Sequence, residues 1–459
     1  MKTSKILGIG SSLIVATTLG WSLNCAAQTN ESIADLKQEI EQLNQKVQVL
    51  EDKLDAGEDA AQQREKTEPK LSIGANGFNF SSADSNFVAN LHAWVQMDSR
   101  TFFADGGIKN NDSFLLRRAR PILSGTVYRD FDYYFATEFG GNTVQILDAY
   151  LNYRYAPELQ LEAGKFKPPV GLEQLQSDIY TPFNERSIAT DLIPYRDVGA
   201  MLHGDLFDGA LSFAAAIVNG APDLNTVTTN SAAADDLKEF DGRVFAQPWK
   251  DAHLAALRGL GFGVGGTYGK ERGTNSLTPG FTTDGQQKFF QYASGVQGNG
   301  THWRLSPQAY YYYGPFNLLG EYVISDQQVS TGTHRADLDN RAWEIEGGWV
   351  LTGEHPSYSS GVVPRHSFDP REGHWGALQL VGRYAQLDVD NAAFPLYANP
   401  ATSASDARAW AAGLNWYLNR DLRVDLSFSR TTFTGGNGAG ATVTKQPENV
   451  LFTRIQLAF

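Results

Sequence analysis

Ile146-Leu147-Asp148-Ala149-Tyr150-Leu151-Asn152-Tyr153-Arg154-Tyr155 alternates in character along its length. Successive side chains of a strand point to opposite sides. Leu147, Ala149, Leu151, Tyr153 and Tyr155 therefore share one face, and Ile146, Asp148, Tyr150, Asn152 and Arg154 share the other. The first face is apolar and aromatic; the second carries Asp, Asn and Arg. In a soluble sandwich the apolar face would meet a second sheet. In a transmembrane barrel it meets lipid, while the charged face lines water. From Phe87 to Phe459 such segments recur about every turn, roughly sixteen of them, each near the length that crosses a bilayer as a tilted strand.

The connections favour the barrel. Tight turns are expected near Arg129–Phe131, Ala156–Glu158, Phe207–Gly209, Gly314–Phe316 and Asn419–Asp421, where Asp, Asn, Gly and Pro supply turn chemistry. Longer polar connections are expected near 220–238, 269–303, 325–339, 388–405 and 434–447. Short turns at one end and long loops at the other are the pattern of an outer-membrane barrel. Tyr133-Tyr134, Trp416-Tyr417 and Tyr310–Tyr313 suit aromatic girdles, and Phe459 ends an alternating strand. The expected fold is all-β: a sixteen-stranded antiparallel transmembrane β-barrel, preceded by a coiled-coil helix.

Residues 1–27 read as a cleavable signal peptide. Lys2 and Lys5 precede the apolar run Ile6–Leu19, and Cys25-Ala26-Ala27 offers small residues at a cleavage site. A membrane anchor would need a longer apolar core. A lipid-attachment site at Cys25 would need a small residue where Asn24 stands. Cleavage leaves a cysteine-free chain with 36 Lys and Arg against 51 Asp and Glu, net −15. That balance argues against a nucleic-acid partner. Later stretches fall short of the about 18 apolar residues of a membrane helix. Over 31–55, Ile33, Leu36, Ile40, Leu43, Val47, Leu50 and Leu54 recur at spacings of three and four. This is an a/d seam, expected to form a periplasmic coiled coil that associates with copies of itself. Residues 56–86 are expected to be a linker with one short strand near Leu71–Ala75, and 87–459 the barrel.

Alternation assigns the lumen face. On the strand after Phe114, Leu123, Gly125 and Val127 face lipid, and Arg118, Arg120, Ser124 and Thr126 face water. Arg154, Arg243, Arg383, Arg423 and Arg454 also point inward, as do Glu138, Asp148, Glu162, Asp241, Glu321, Glu344, Glu346 and Asp425. Arginines on a lumen wall draw anions and fork onto phosphate or carboxylate; they also pair with acids on neighbouring strands and stiffen the wall. Arg117-Arg118-Ala119-Arg120 is the densest basic cluster, with Arg117 at the rim on this pleat. The segment Lys167–Arg196 is too long for a turn. It is expected to fold inward and constrict the channel, with Lys167, Arg186 and Arg196 setting selection.

Signals for chemistry are weak. The histidines are scattered, without HExxH or paired Cys spacing, so neither metal nor cofactor is expected. Gly261, Gly263 and Gly266 match GxGxxG, but the segment alternates like a strand and leads into Lys270-Glu271-Arg272 rather than a helix. His92, His203 and His302 are candidates for a barrel hydrolase by residue type only.

Phe114-Leu115-Leu116-Arg117-Arg118-Ala119-Arg120, followed by Tyr128-Arg129-Asp130-Phe131, resembles the second-strand region of the phosphate-selective porin O/P family. Leu161-Glu162-Ala163-Gly164-Lys165-Phe166, Leu351-Thr352-Gly353-Glu354, Asn415-Trp416-Tyr417 and Arg454-Ile455-Gln456 are similar to it in order and spacing. The resemblance implies a sixteen-stranded trimeric outer-membrane porin that passes anions such as phosphate. It also implies that Arg117 and Arg118 are the paired arginines of the anion path. The chain departs from the phosphate-specific pattern. Residues 273–288 are nearly free of Arg, Gly320–Thr331 has neither Lys nor Arg, and residues 71–459 carry 30 basic against 40 acidic residues. The function expected is energy-independent diffusion of small anions. A weakly selective or sugar-type pore, or a structural barrel tethered by its coiled coil, is the alternative.

Overall fold

The computed structural model describes residues 28–74, 77–103, 110–141, 143–224, 236–277, 280–436 and 446–459; the expected signal peptide lies outside them. Helix α1 runs Gln28–Thr67, about 60 Å at the usual rise. Leu36, Ile40, Leu43, Val47, Leu50 and Leu54 are exposed along it. The helix passes the expected boundary at residue 55. Gly57 is a single weak point costing about 1 kcal/mol, and the following Ala, Gln, Arg, Glu and Lys are good helix formers. The rest of the supposed linker holds a hairpin, Lys70–Gly74 with Gly77–Ser81.

The β unit is a separate body from Pro69 onward. Its barrel strands are β1 Val88–Phe103, β2 Ser113–Val127, β3 Phe131–Glu138, β4 Gln145–Ala156, β5 Leu159–Phe166, β6 Asp197–Leu206, β7 Leu211–Val218 and β8 Glu239–Ala246. They continue as β9 Leu260–Ser276, β10 Gln297–Tyr313, β11 Phe316–Thr331, β12 His334–Val350, β13 Ala377–Asp388, β14 Ala404–Tyr417, β15 Leu422–Gly435 and β16 Glu448–Ala458. Each pairs antiparallel with its sequence neighbour, and β16 closes on β1 from Ala458 opposite Trp94 to Asn449 opposite Phe103. Beyond the end of β16, the hairpin strand Gly77–Ser81 takes over the start of β1.

The side-chain distribution is inverted relative to a soluble protein. Leu151, Leu161, Val264, Leu318, Ile345, Leu380 and Ile455 point outward and are exposed, whereas Gln96, Asp98, Arg118, Glu162, Asn340, Asp425 and Arg454 point inward and are buried. Lipid covers the first set and a polar interior the second. Aromatic pairs Phe131–Tyr153, Tyr311–Tyr313 and Phe316–Trp349 lie at the turn end of the barrel. Alternate members of the expected girdle runs turn inward instead: Tyr134, Tyr310, Tyr312 and Tyr417.

Two bulges correct the face assignments. On β4 the ladder steps from Asp148 opposite Ala136 to Ile146 opposite Thr137, so Leu147 is extra. A bulge shifts the pleat, and Leu147 is buried inside rather than facing lipid. On β2 the register steps from Arg118 to Leu116, which frees Arg117 to turn inward beside Arg118.

All five expected tight turns are present, while two other connections depart from the expectation. The segment 325–339 is no long connection: β11 and β12 run straight into each other through Gly332-Thr333, with Gly332 at φ +55° in the left-handed region that glycine enters freely. At the turn end, residues 351–376 form a long loop that the sequence reading did not separate from its strands.

Candidate functional site

The segment 167–196 packs against inward-facing residues of the barrel wall. Its first turn is the short helix Leu172–Leu175. Glu321 on β11 accepts the amides of Leu172 at 2.9 Å and Glu173 at 3.2 Å. Lys167 Nζ closes the other end, donating to the carbonyls of Gln174 at 2.7 Å and Gln176 at 3.0 Å. Arg186 braces the loop internally, donating to Asp178 and to the carbonyls of Gln176 and Glu173. The loop then presents two unlike faces. Ile188, Leu192 and Ile193 pack with Val323, Leu338 and Ala342 on the β11–β12 wall. Asp178 and Glu185 face the basic strand β2.

A second loop from the same end joins it. Between β9 and β10, Phe281, Phe289 and Phe290 are buried against Ile188, Leu192 and Ile193. The amide of Thr282 donates to Asp191 Oδ2 at 2.6 Å, and Ser429 on β15 donates to Asp284 at 2.7 Å. From the turn end, Tyr358 of the 351–376 loop donates to the Leu172 carbonyl at 2.7 Å and stacks on Tyr310 at 5.3 Å. Tyr310 is thereby covered and offers no free aromatic track.

The arginines of β2 meet the acids of the constriction loop. Arg117 forks onto Glu185 at 2.5 and 2.8 Å, and Arg100 on β1 reaches the same carboxylate at 2.8 Å. Arg118 donates to Gln96 at 2.7 Å and lies 3.5 Å from Asp178. Arg120 is bound by Asp178 and by Glu138 at 2.5 Å. Burial alone would raise the Glu185 and Asp178 carboxyls. The guanidiniums outweigh it and hold both below the usual carboxylate range: Arg117, Arg118 and Arg100 at Glu185, and Arg118, Arg186 and Arg120 at Asp178. Burial, together with Arg186 and Arg196, pushes the Lys167 ammonium well below an ordinary lysine.

The remaining expected arginines are mostly paired. Arg383 bridges Glu173 at 3.2 Å and Asp284 at 3.1 Å; Arg423 meets Asp425 at 2.8 Å; Arg454 forks onto Asp98 at 2.6 and 2.8 Å. Arg243 donates to Gln308 at 2.9 Å and lies over Phe245. Arg154 lies at the turn end, paired with Asp132 at 2.8 Å. Sequence reading missed Arg100 and Arg304, both inward and buried. Arg304 holds Asp223 at 2.6 Å and Glu239 at 3.0 Å. The alternation around each could have found them.

A cavity of about 320 Å³ remains between the constriction loop and the β1–β5 wall. Arg120, Lys167 and Arg196 line it, with Asp148, Glu162 and Asp178 among them. Trp94, Tyr134, Tyr150 and Phe166 form its apolar part. Arg196 forks onto Asp148 at 2.9 and 3.0 Å and keeps its Nη1 without an acceptor. Trp94 and Tyr134 also line a second cavity of about 290 Å³ that opens among His92, Arg420 and Phe459 at the turn end. The two spaces share Trp94 and Tyr134 on one side of the lumen.

His302 sits 3.0 Å from Ser325 and 3.4 Å from Glu271, which resembles a catalytic dyad with an orienting acid. The serine hydroxyl, however, donates to Asp223 at 2.7 Å. Ser325 is fully buried, and the opening beside His302 is about 10 Å³, too small for a substrate. His203 bonds Asn152 at 3.1 Å, and His92 faces the mouth.

Solved structures share this architecture. The outer membrane channel DcaP of Acinetobacter baumannii superposes at TM-score 0.54 with 10% identity, covering 83% of this chain and 99% of that one. The anion-selective porin from Comamonas acidovorans gives 0.52 with 11% identity, over 81% and 100%. In sequence, Porin O of Pseudomonas aeruginosa is 22% identical over 404 residues, 79% of this chain and 87% of that protein. A family model for phosphate-selective porin O and P matches residues 89–459. That is the barrel from its first strand to its last residue, so the chain belongs to this family of bacterial outer-membrane channels.

Proposed function

We propose that this channel passes small anions by passive diffusion, phosphate among them, with weak selectivity. The observation that carries the reading is the cavity beside the constriction loop, where Arg120, Lys167 and Arg196 come together in one lining. Guanidinium and ammonium groups lining one narrow space suit a passing oxyanion. Asp148, Glu162 and Asp178 in the same lining offset those cations, which supports brief contact rather than tight capture. Conduction requires weak binding of this kind. The family's name and the anion-selective Comamonas porin point the same way.

A second reading is favoured by Trp94, Tyr134, Tyr150 and Phe166 in the lining: anions with a flat carbon body pass better than phosphate. The protein works as a trimer on the first reading and on the second, with the residue 31–55 seam joining the periplasmic helices and residues 1–27 removed on export. Planar-bilayer recording tests both. A KCl gradient should give an anion-selective reversal potential that shrinks in Arg196→Ala. Phosphate and benzoate added in turn separate the two readings by which one blocks at lower concentration. Cation selectivity in the unaltered protein would overturn the proposal.

A further inference from the structure

Four glutamates meet on the wall behind the constriction loop. Glu321 on β11 stands directly opposite Glu344 on β12, Glu346 follows on the same face of β12, and Glu173 comes from the loop. Two of the four are accounted for. Glu321 accepts the Leu172 and Glu173 amides and the Ser306 hydroxyl, the last at 2.6 Å. Glu173 accepts the Ser187 amide at 2.9 Å and Arg383 at 3.2 Å. Glu344 and Glu346 are different. Each is 2% exposed, yet both oxygens of Glu344 and Oε2 of Glu346 have no hydrogen-bond donor. Among the described residues, the one ion pair made by these four acids is that of Glu173 with Arg383, which also serves Asp284 at 3.1 Å.

Buried carboxylates without donors are unfavourable while charged. Their arrangement suggests what relieves that cost. One oxygen from each of Glu173, Glu344 and Glu346 lies within 4.8 Å of the others. Oxygen ligands sit about 2.3–2.6 Å from Ca²⁺ and about 2.0–2.1 Å from Mg²⁺. They can therefore be about 5 Å apart across Ca²⁺ but only about 4 Å across Mg²⁺. The donors are all carboxylate, without nitrogen or sulfur, which suits a hard cation and not zinc or copper.

We propose that Glu173, Glu344 and Glu346 bind a Ca²⁺ ion that fastens the constriction loop to β12. The ion is a clamp: Glu173 belongs to the loop's first turn, and the other two belong to the rigid wall. The sequence gives no spacing motif for such a site because its ligands are far apart in the chain, and only the inward fold of the loop assembles them. Such a clamp would hold the loop whichever solute passes.

The test uses the full-length protein, refolded free of lipopolysaccharide and stripped with EDTA. Equilibrium dialysis with radioactive Ca²⁺ should show one saturable equivalent per chain that the Glu344→Gln/Glu346→Gln double variant lacks. Ca²⁺ should also raise the unfolding temperature of the unaltered protein, and Mg²⁺ should raise it less. Glu346→Gln alone should weaken Ca²⁺ binding by about tenfold or more, which keeps the test open if the double variant does not fold. Loose Ca²⁺ on other acids is common to all the proteins and cancels in the comparison. Equal binding by the unaltered and altered proteins, or an unfolding temperature indifferent to Ca²⁺, would overturn the site and leave protons as the neutralising charge.

Discussion

Arg117 donates Nε to Glu185 Oε1 at 2.5 Å and Nη2 to Oε2 at 2.8 Å. The arginine stands on a strand bulge of the wall and the acid on the constriction loop, so this fork locks one to the other. Arg100 adds a third donor at 2.8 Å, and Arg118 approaches to 3.6 Å. With Arg454 at 3.8 Å, one loop carboxylate therefore serves four wall guanidiniums. The densest basic cluster of the chain is a docking site for its own loop before it is a site for anything passing through.

Glu185→Gln keeps the side chain's shape and removes the charge. Removing one partner of a buried ion pair costs about 3–5 kcal/mol, and here it leaves Arg100, Arg117 and Arg118 without their shared counter-charge. The expected result is a lower unfolding temperature together with stronger anion selectivity in a KCl-gradient bilayer measurement. A variant as selective as the unaltered protein would show that these arginines lie off the ion path.

The acid limb of stability follows from Glu185 and Asp178, both held below the usual carboxylate range by the guanidiniums around them despite burial. A carboxyl depressed in the folded state contributes stability above its unfolded value, about 4. It loses that contribution as pH falls through the lower folded value. The two ties should hold the loop at constant conductance from neutral pH down to about 4 and release it only in stronger acid. Single-channel conductance stepped through pH measures this, and a change between pH 5 and 7 would assign control of the loop to other groups.

Phe289 is 1% exposed and packs with Phe281 at 6.3 Å and Phe433 at 5.9 Å. A buried Phe→Ala change costs about 3–5 kcal/mol. Here that cost falls on the contact between the two inward loops rather than on the strand ladders. Phe289→Ala should leave the barrel's heat-resistant gel mobility intact while raising conductance and open-channel noise. Loss of the folded barrel itself would show that the loops hold the wall together.

The barrel was legible because period-two alternation needs only local sequence, as at Leu151 and Asn152. Three kinds of feature were not. A bulge moves one residue without any local mark, so Leu147 and Arg117 changed faces. Loops that enter the lumen carry apolar residues for a partner far along the chain: Phe281, Phe289 and Phe290 sit in a stretch otherwise rich in Gly, Thr and Gln. The polar hairpin at Gly332 failed for a third reason. There the outer face carries Asp326, Gln328, Asp337 and Asp339. The inner face keeps Val329 and Leu338 buried against the inward loops, so the alternation is inverted and reads as a loop. Arg304 shows the reverse case, since its neighbours Trp303 and Leu305 already mark it as inward.

The exposed seam Leu36, Ile40, Leu43, Val47, Leu50 and Leu54 gives the last prediction. In isolation, β-branched residues at a with Leu at d favour two strands, whereas the barrel of a trimeric porin would bring three helices together. Barrels that meet wall to wall pack along their whole height, a wider contact than one helical stripe, so the barrel should set the number and the helix should add to it. In the full-length protein, Leu43→Glu with Leu50→Glu should leave the trimer formed but lower its dissociation temperature on a semi-native gel. The change puts like charges on facing helices at d, where they repel and lose their packing. Monomers at ordinary temperature would mean that the helix drives assembly, and an unchanged dissociation temperature would mean that the seam faces a different periplasmic partner.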